Sequence, residues 1–269
     1  MKKLVALMLS LIMALSLVAC GSTDSKETDG DTTTKTDMEY VKEKGTLVVG
    51  ITDYAPMDYK DGNDWIGFDA DMAKAFAEKL GVKVQFVEID WDSKIMELDG
   101  NTIDCVWNGM TLTDEVKSSM ECSNPYCNNS QVVIVPVDKA DQYQTVESLS
   151  GLTFAVESGS AGQKQAEANN LTFTAVKDQA SALFEVASGT SGAAIIDALM
   201  AGAMVGDKTS YDNLTYTVSL GDEEFGVGFR KGSDLAAALN DFFVESYADG
   251  SMEKCAEKYG VQAAIIPQK

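Results

Sequence analysis

The sequence predicts an α/β protein with two lobes, and three observations support this. Strand-like and helix-like patterns alternate along the chain, and the alternation starts again near residue 131. After a polar stretch near the N-terminus about 230 residues remain, which suits one large domain or two lobes of ordinary size. We therefore expect two sheets covered by helices, with a ligand captured in the cleft between them.

The first half of the pattern contains three strand-like runs separated by helical ones. Residues 46–51, 82–89 and 102–107 are rich in β-branched residues and are predicted strands. Residues 70–80 carry apolar side chains at helical spacing, and residues 93–98 form a shorter predicted helix. This order of elements indicates a parallel sheet with helices on its faces.

The second half repeats the alternation. Its predicted strands and helices are, in chain order, strand 131–137, strand 152–156, helix 160–169, strand 171–176, helix 180–188, strand 192–196, a helix from near residue 197, strand 214–220 and strand 227–230. Ligands of open α/β sheets bind beyond the carboxyl ends of the strands. The loops after Ile51, Ile89, Trp107, Val156 and Ile196 are therefore the expected ligand-binding loops.

The N-terminus has the features of an export signal. Lys2 and Lys3 precede an apolar run over residues 4–19, which is shorter than a membrane-spanning helix needs. The run ends at Cys20, so residues 1–19 look like a bacterial lipoprotein signal peptide, which implies that Cys20 is diacylated; an ordinary cleaved signal with a chance cysteine is the alternative. Residues 20–37 are almost entirely polar and are predicted to be a disordered tether.

Composition excludes several classes of function. The chain has 21 basic and 42 acidic residues, so nucleic-acid binding, which needs basic patches, is not expected. It has no histidine, which removes Ser-His-Asp, Cys-His and His-metal chemistry, and no cofactor is expected. Cys122 and Cys127 flank a predicted turn and could form a small disulfide or remain buried free thiols.

Several short motifs occur in a fixed order along residues 40–260. They are Gly50-x-x-Asp53-Tyr54-x-Pro56, Gly67-Phe68-Asp69-Ala70-Asp71-Met72-Ala73, Trp107-Asn108-Gly109-Met110-Thr111-Leu112-Thr113, Ser123-Asn124-Pro125-Tyr126, Glu157-Ser158-Gly159-Ser160, Ala194-Ile195-Ile196-Asp197 and Gly226-Val227-Gly228-Phe229-Arg230-Lys231-Gly232. In this order they resemble the family 3 substrate-binding proteins of bacterial polar amino-acid ABC importers. Each motif alone is weak, but seven in register make a specific signal.

This resemblance implies a periplasmic-binding-protein-like fold of type II, the Venus flytrap, with two hinge strands. One lobe would comprise residues 38–135 and 224–269, and the other residues 136–223. Ligand would close the cleft, and the closed protein would deliver it to a membrane permease. The resemblance implies a monomer that is held on the membrane by its acyl chains and that carries out no reaction.

The resemblance also implies which residues of the first lobe contact the ligand. Tyr54 would cover the ligand and Trp91 would stack on it, although either could instead only pack within a core. Asn108, Gly109 and Thr111 match the segment that holds a ligand's carboxylate, with a simple turn between strand and helix as the alternative.

Two residues of the second lobe complete the implied site. Asp197 matches the acid that pairs with a ligand's ammonium group, and Ser160 matches a hydroxyl at the start of a helix. Either could serve only as a helix N-cap, which is a common role for aspartate and serine.

Two positions depart from the family pattern. The arginine that the family has shortly after Thr113 is replaced by Val116, and Arg230, the chain's single arginine, belongs to a motif away from the cleft. Lys117 could serve as a point charge in its place, but not as a planar fork. Glu157 stands where the family often has an apolar or amide side chain, and it could also be a solvated acid at a strand end.

These departures favour a ligand with a strong positive centre. Glu157, Asp197 and Asp53 would supply negative charge, with Tyr54 and Trp91 as aromatic walls. We therefore predict a basic amino acid, a related amine or a small peptide as the ligand. The rival functions are a dehydratase of the cyclohexadienyl type, with Glu157 as general acid, and a sensor that reports its ligand to a separate signalling protein.

Overall fold

The structure, a computed structural model, describes residues 35–269. The predicted signal peptide, Cys20 and the predicted tether up to residue 34 lie outside the described residues. The first helix begins at Asp37, and the Thr36 hydroxyl caps it by accepting a hydrogen bond from the N–H of Glu39 (3.2 Å). The helix therefore takes in the last residue of the predicted tether.

Strands and helices alternate through most of the described chain. The α-helices are α1 (Asp37–Lys44), α2 (Phe68–Leu80), α3 (Lys94–Asp99), α4 (Asp114–Ser119), α5 (Ala161–Ala168), α6 (Gln179–Ala187), α7 (Ala198–Met204), α8 (Leu235–Ala248) and α9 (Ser251–Tyr259). The strands are β1 (Thr46–Ile51), β2 (Tyr59–Asp61), β3 (Asp64–Ile66), β4 (Lys83–Glu88), β5 (Cys105–Thr111), β6 (Glu121–Cys122), β7 (Cys127–Pro136), β8 (Thr153–Glu157), β9 (Thr172–Val176), β10 (Ala193–Asp197) and β11 (Leu214–Phe229).

The sheet has two parallel wings joined by an antiparallel pair. Its strand order is β4-β1-β5-β11-β7-β10-β8-β9, with β6 added at β11. Strand β1 runs parallel to β4 and β5, and β8 runs parallel to β9 and β10. Strands β7 and β11 run antiparallel to each other and to the strands beside them. This pair therefore connects one wing to the other.

Each wing and its helices form one lobe of a two-lobed fold. We call the wing of β1, β4 and β5, with α1–α4, α8 and α9, the first lobe, and the wing of β8, β9 and β10, with α5–α7, the second lobe. The first lobe packs an aromatic core, in which the Trp107 ring lies 5.7 Å from Phe243 and 6.3 Å from Phe76 between ring centroids. The second lobe buries Phe154 and Ile195 against β7. The predicted fold class is confirmed.

The predicted lobe boundary crosses this antiparallel pair. Residues 131–134 of β7 lie within the range predicted for the first lobe, and they pair with residues 194–197 of β10 in the second. On the other strand, Glu223 pairs with Asn129 and Phe225 with Cys127. The pairing of β7 with β10 thus begins several residues before the predicted boundary at 135/136, and the boundary itself stays a prediction.

Two local predictions differ from the structure. The strands predicted at 214–220 and 227–230 are one strand of 16 residues, β11, since the polar residues between them still pair with β7. Trp107 does not end its strand, because β5 continues to Thr111 and pairs there with Phe225 of β11. Asn108 and Gly109 therefore lie within a strand and not in a turn.

The four cysteines of residues 35–269 form no disulfide, and the single arginine bonds within the first lobe. Cys105, Cys122, Cys127 and Cys255 are free thiols, which settles the alternative left open for Cys122 and Cys127. Arg230 lies in the first lobe, where its guanidinium donates hydrogen bonds to Asp37 (3.1 Å) and to the carbonyl of Ile103 (2.8 Å). As predicted, it is away from the cleft.

Candidate functional site

A cavity lies between the two lobes at the ends of the predicted strands. Eight of the predicted site residues line it: Tyr54, Trp91, Asn108, Gly109, Thr111, Glu157, Ser160 and Asp197. They come from β5, β8 and β10 and from the segments after β1, β4 and β8, so both lobes contribute. The strand ends bring together residues that are up to 143 positions apart, from 54 to 197.

The lysines that line the cavity differ from the predicted one. Lys117 is exposed and is not among the residues that line the cavity, so the proposed use of Lys117 in place of an arginine does not fit the structure. Val116 does line the cavity, and Asp53 does not. The lysines that line it are Lys94 and Lys164, neither of which the motifs indicated.

Tyr54 forms part of the cavity wall and is held edge-on against Phe225, with 6.3 Å between ring centroids. It is 2% exposed, and within residues 35–269 its hydroxyl has no hydrogen-bond partner. Gly109 has φ +54°, and a Cβ there would overlap the Tyr54 ring. The Tyr54 ring can therefore approach the β5 backbone only because residue 109 is glycine. The Tyr54 hydroxyl, which has no partner in the described chain, remains available to a ligand.

Asn108 and the Gly109 N–H are already engaged within the first lobe. The Asn108 carbonyl oxygen accepts hydrogen bonds from the N–H and the hydroxyl of Thr52, and its amide donates to the Thr52 carbonyl and to Asp58. The Gly109 N–H donates to Asp69 at 2.6 Å. These bonds use the full capacity of the Asn108 amide, so its side chain positions the loop after β1 instead of offering free groups to a ligand.

Asp69 is an internal support for this wall. Gly67 occupies the N-cap position of α2, and Asp69 is buried in the first turn of that helix. One carboxylate oxygen accepts hydrogen bonds from the Gly109 N–H and, at 2.7 Å, from the Tyr126 hydroxyl. Burial raises the pKa of Asp69 to about 7, and the hydrogen bonds from Tyr126 and Gly109 oppose that rise.

Asp197 is held by the amides of three side chains. Gln131 and Asn129 donate to one carboxylate oxygen, and Gln179 donates to the other. Asp197 occupies the N-cap position of α7 but makes no side-chain capping bond. Burial raises its pKa well above the usual range, and the nearby carboxylate of Glu223, which accepts from the same two amides of Asn129 and Gln131, adds to the rise. The predicted ligand acid is therefore also part of a network at the β7–β11 crossing.

Glu157 is a buried acid with free hydrogen-bonding capacity. It is 2% exposed, and one carboxylate oxygen has no partner among the described residues. Burial raises its pKa to about 8, the charge of Asp178 raises it further, and the charge of Lys94 opposes the rise. The alternative of a solvated acid at a strand end does not fit this burial.

Lys94 lies opposite, at the start of α3. Its ammonium donates hydrogen bonds to the carbonyls of Trp91 (3.0 Å) and Gly159 (3.1 Å), and lies 4.8 Å from the centroid of the Trp91 ring. The side chain is only 8% exposed, and burial lowers its pKa to about 8, although the charge of Glu157 opposes that fall. No motif signalled this residue, because a lysine in a short helix usually points to solvent.

Contacts across the cleft hold the lobes close together. The Lys94 bond to Gly159 crosses it, and Lys164 of the second lobe forms an ion pair with Glu115 of the first. Ser160 caps α5 by accepting from the N–H of Gln163 (3.1 Å), as its alternative role predicted, and it also lines the cavity. The structure therefore represents a closed arrangement of the lobes.

Gly159 provides a test of this closed arrangement. Its φ is +70°, and a Cβ there would lie 2.6 Å from the Cα of Asp92 in the other lobe. We expect Gly159→Ala to weaken ligand binding by roughly one to two orders of magnitude, because the methyl group keeps the lobes apart. Isothermal titration calorimetry of an amino acid that the wild type binds would measure the loss.

The matched control is Gly151→Ala, in the same lobe. Gly151 has φ +89° but no atom within 4 Å of its added Cβ, so it carries the backbone strain without the contact across the cleft. Equal affinities of the two variants would show that the apposition of Gly159 and Asp92 is unimportant for binding.

Comparison with known proteins identifies the family. Residues 47–262 match the model of the bacterial extracellular solute-binding proteins, family 3, and the chain belongs to this family. It is 30% identical to the arginine-binding extracellular protein ArtP of Bacillus subtilis over 96% of this chain and 98% of that protein. It is also 30% identical to the L-cystine-binding protein TcyJ of Escherichia coli, over 92% of each chain.

A solved structure agrees with the fold. The crystal structure of the ancestral amino acid-binding protein AncCDT-1, a precursor of cyclohexadienyl dehydratase, aligns with a TM-score of 0.75 at 32% identity and covers 82% of this chain and 98% of that one. The predicted family is confirmed.

Within residues 35–269, no helix has the length and apolar character that crossing a membrane requires.

Proposed function

We propose that this protein is the ligand-capturing component of an ABC importer, which binds an amino acid, a related cationic amine or a small peptide between its lobes and passes it to a membrane permease. Family membership supports solute binding, and the named relatives bind arginine and cystine. The observation that carries the proposal is a pair of buried, unpartnered polar groups on opposite lobes, the Tyr54 hydroxyl and a Glu157 oxygen, whose side chains line one cavity. Such groups are usually paired, so a polar ligand is their expected partner.

The two lobes would close around the ligand, and we propose that the hinge of this closing lies in the β7–β11 pair, near Asn129 and Glu223. The amides of Asn129 and Gln131 bridge Glu223 to Asp197 at this point, so the ligand-facing acid is tied directly to the strands that would bend. Hinge residues absorb the change of backbone angles when lobes close. Closing is therefore expected to be sensitive to what Asp197 contacts.

A screen of ligands tests the proposal. Thermal shift of the purified protein with single amino acids, amines and dipeptides is expected to show stabilisation by a small, chemically related set, because a ligand that binds only the native state stabilises it by mass action. Calorimetry then gives the affinity. No stabilisation by any of these compounds would contradict the proposed function.

The rival enzymatic function has its own test. We propose that the protein binds its ligand without reaction, since its named relatives are binding proteins, although one solved relative is described as a precursor of a dehydratase. Incubation with prephenate and arogenate is expected to yield no product. Turnover that disappears in Glu157→Gln would establish the dehydratase instead.

For its location, we propose that a diacylated Cys20 anchors a monomer on the outer face of the membrane. Support comes from Lys2, Lys3 and the apolar run before Cys20, followed by a polar stretch that would act as a tether. Two acyl chains give stable membrane attachment. Cys20→Ala is expected to release the exported protein into the soluble fraction, and continued membrane association of that variant would contradict the anchor.

A further inference from the structure

Lys94 is a buried cation whose hydrogen-bonding capacity is incompletely used. An ammonium group has three N–H donors. Two of them reach the backbone carbonyls of Trp91 and Gly159, at 3.0 and 3.1 Å. These partners are neutral, so the positive charge in this wall of the cavity is not compensated by them.

A counter-charge for Lys94 is missing from the described part of the protein. Within residues 35–269, no carboxylate oxygen lies within 4 Å of its ammonium nitrogen. Glu115, which also lines the cavity, is paired with Lys164. The ring of Trp91 offers some cation–π attraction, but the charge of a lysine that is buried as a residue is costly to keep without an anion.

The cavity carries an unpaired group of the opposite kind as well. Glu157 of the second lobe is buried, lines the same cavity and has a carboxylate oxygen without a partner in the described chain. A cationic group beside Glu157 would favour loss of the proton that burial holds there, but a ligand with only positive charge would be repelled by Lys94. A ligand with both an anionic and a cationic group would satisfy both.

We propose that Lys94 is a specificity-determining residue that binds a carboxylate of the ligand, so that the protein prefers amino acids to the corresponding amines. The inference rests on the proposed function and narrows its ligand class. It also assigns the anion-binding role to α3 in the first lobe, at a position that none of the sequence motifs includes. The third N–H of the ammonium is the group that reaches the carboxylate, while the other two keep the side chain in place.

Matched pairs of ligands test this inference. The probes are L-arginine and agmatine, L-lysine and cadaverine, and L-histidine and histamine, in which the second member lacks only the carboxylate. Calorimetry is expected to show that the wild type binds the acid of at least one pair about tenfold to a hundredfold more tightly than its amine. In Lys94→Met this preference is expected to fall to about threefold or less, because methionine keeps the apolar stem without the charge.

The ratio of the affinities for the acid and the amine of a pair separates recognition of the carboxylate from closing of the lobes. Lys94 also bonds Gly159 across the cleft, so Lys94→Met can weaken both members of a pair, but that loss cancels in the ratio. Lys94→Arg is expected to retain a preference for the acid. The exposed Lys117→Met, which removes a lysine charge outside the cavity, is expected to leave the ratio unchanged.

The outcomes distinguish this inference from the proposed function. If the wild type binds amines as tightly as amino acids, or if Lys94→Met keeps the full preference for the acid, the inference is overturned and the proposed function stands. If no member of any pair binds, both are overturned for these ligand classes. A preference for the acid that only Lys94→Met loses supports both.

Discussion

Gly109→Ala is expected to lower the free energy of unfolding by roughly 2–5 kcal/mol. A left-handed backbone costs a residue with a Cβ about 1–2 kcal/mol, and Gly109 has φ +54°. The Cβ would also overlap the Tyr54 ring and lie 3.1 Å from Phe225, and overpacking of a core costs about 1–3 kcal/mol. Urea denaturation followed by fluorescence would measure the change.

The control for this substitution is Gly62→Ala in the turn between β2 and β3. Gly62 has φ +64°, but no atom lies within 4 Å of an added Cβ, so this variant reports the backbone strain alone. The difference between the two variants is therefore the cost of displacing the rings of Tyr54 and Phe225. If Gly109→Ala is no less stable than Gly62→Ala, the close approach of Tyr54 to β5 contributes nothing to stability.

Glu157→Gln is expected to remove a large part of the pH dependence of stability. Burial raises the pKa of Glu157 from about 4.5 to about 8, so between these values the folded state holds a proton that the unfolded state has lost. The free energy of unfolding therefore falls as pH rises from 4.5 to 8. Glu157 can account for a fall of up to about 1.4 kcal/mol in the free energy of unfolding per pH unit. Between pH 4.5 and 8, the free energy of unfolding of Glu157→Gln should therefore fall less than that of the wild type, by several kcal/mol at most.

Denaturation of both proteins at intervals between pH 5 and 8.5 would measure this difference. Burial also raises the pKa of Asp69 and Asp197, so the wild type and the variant should share a remaining decline. Burial lowers the pKa of Lys94 to about 8, so its contribution changes mainly above that pH, with the opposite sign. Glu253→Gln, a change on the exposed face of α9, is the control for loss of a surface charge. Parallel curves for wild type and Glu157→Gln would show that Glu157 does not keep its proton in the folded protein.

The position of the cavity could be predicted from the strand pattern because the geometry of parallel sheets is general. The loops and strand ends after Ile51, Ile89, Val156 and Ile196 all reach the cavity, through Tyr54, Trp91, Glu157 and Asp197. The family resemblance implied that the two lobes face each other across a cleft. The hydrophobic pattern indicates where each strand ends, and in a parallel sheet these ends lie at one edge.

The roles of individual polar residues could not be predicted in the same way. Asn108 lies in a motif that indicated contact with a ligand, and Asp69 lies in another of the family motifs. Their side chains nevertheless bond Thr52, Asp58, Gly109 and Tyr126 inside the lobe. Which polar atom meets a ligand depends on bonds between residues far apart in sequence, and periodicity does not contain that information.

Lys94 is a residue that lines the cavity although nothing in the sequence indicated it. In the sequence it is one of several lysines, and its position in a short helix predicts a solvated side chain. Its burial follows from the contact of α3 with the carbonyl of Gly159 in the other lobe, 65 residues away. Only the apposition of the two lobes distinguishes it from Lys117.

The place of β11 has a consequence for how this chain is made. This strand lies between β5 and β7 in space but follows β10 in sequence, so β5 obtains its second neighbour in the sheet, and the first lobe obtains α8 and α9, only from residues that come after β10. Until those residues emerge, β5 has an open edge, and Trp107 lacks Phe243. We expect the second lobe to complete itself first during synthesis, leaving the nascent first lobe as the part that needs protection by chaperones.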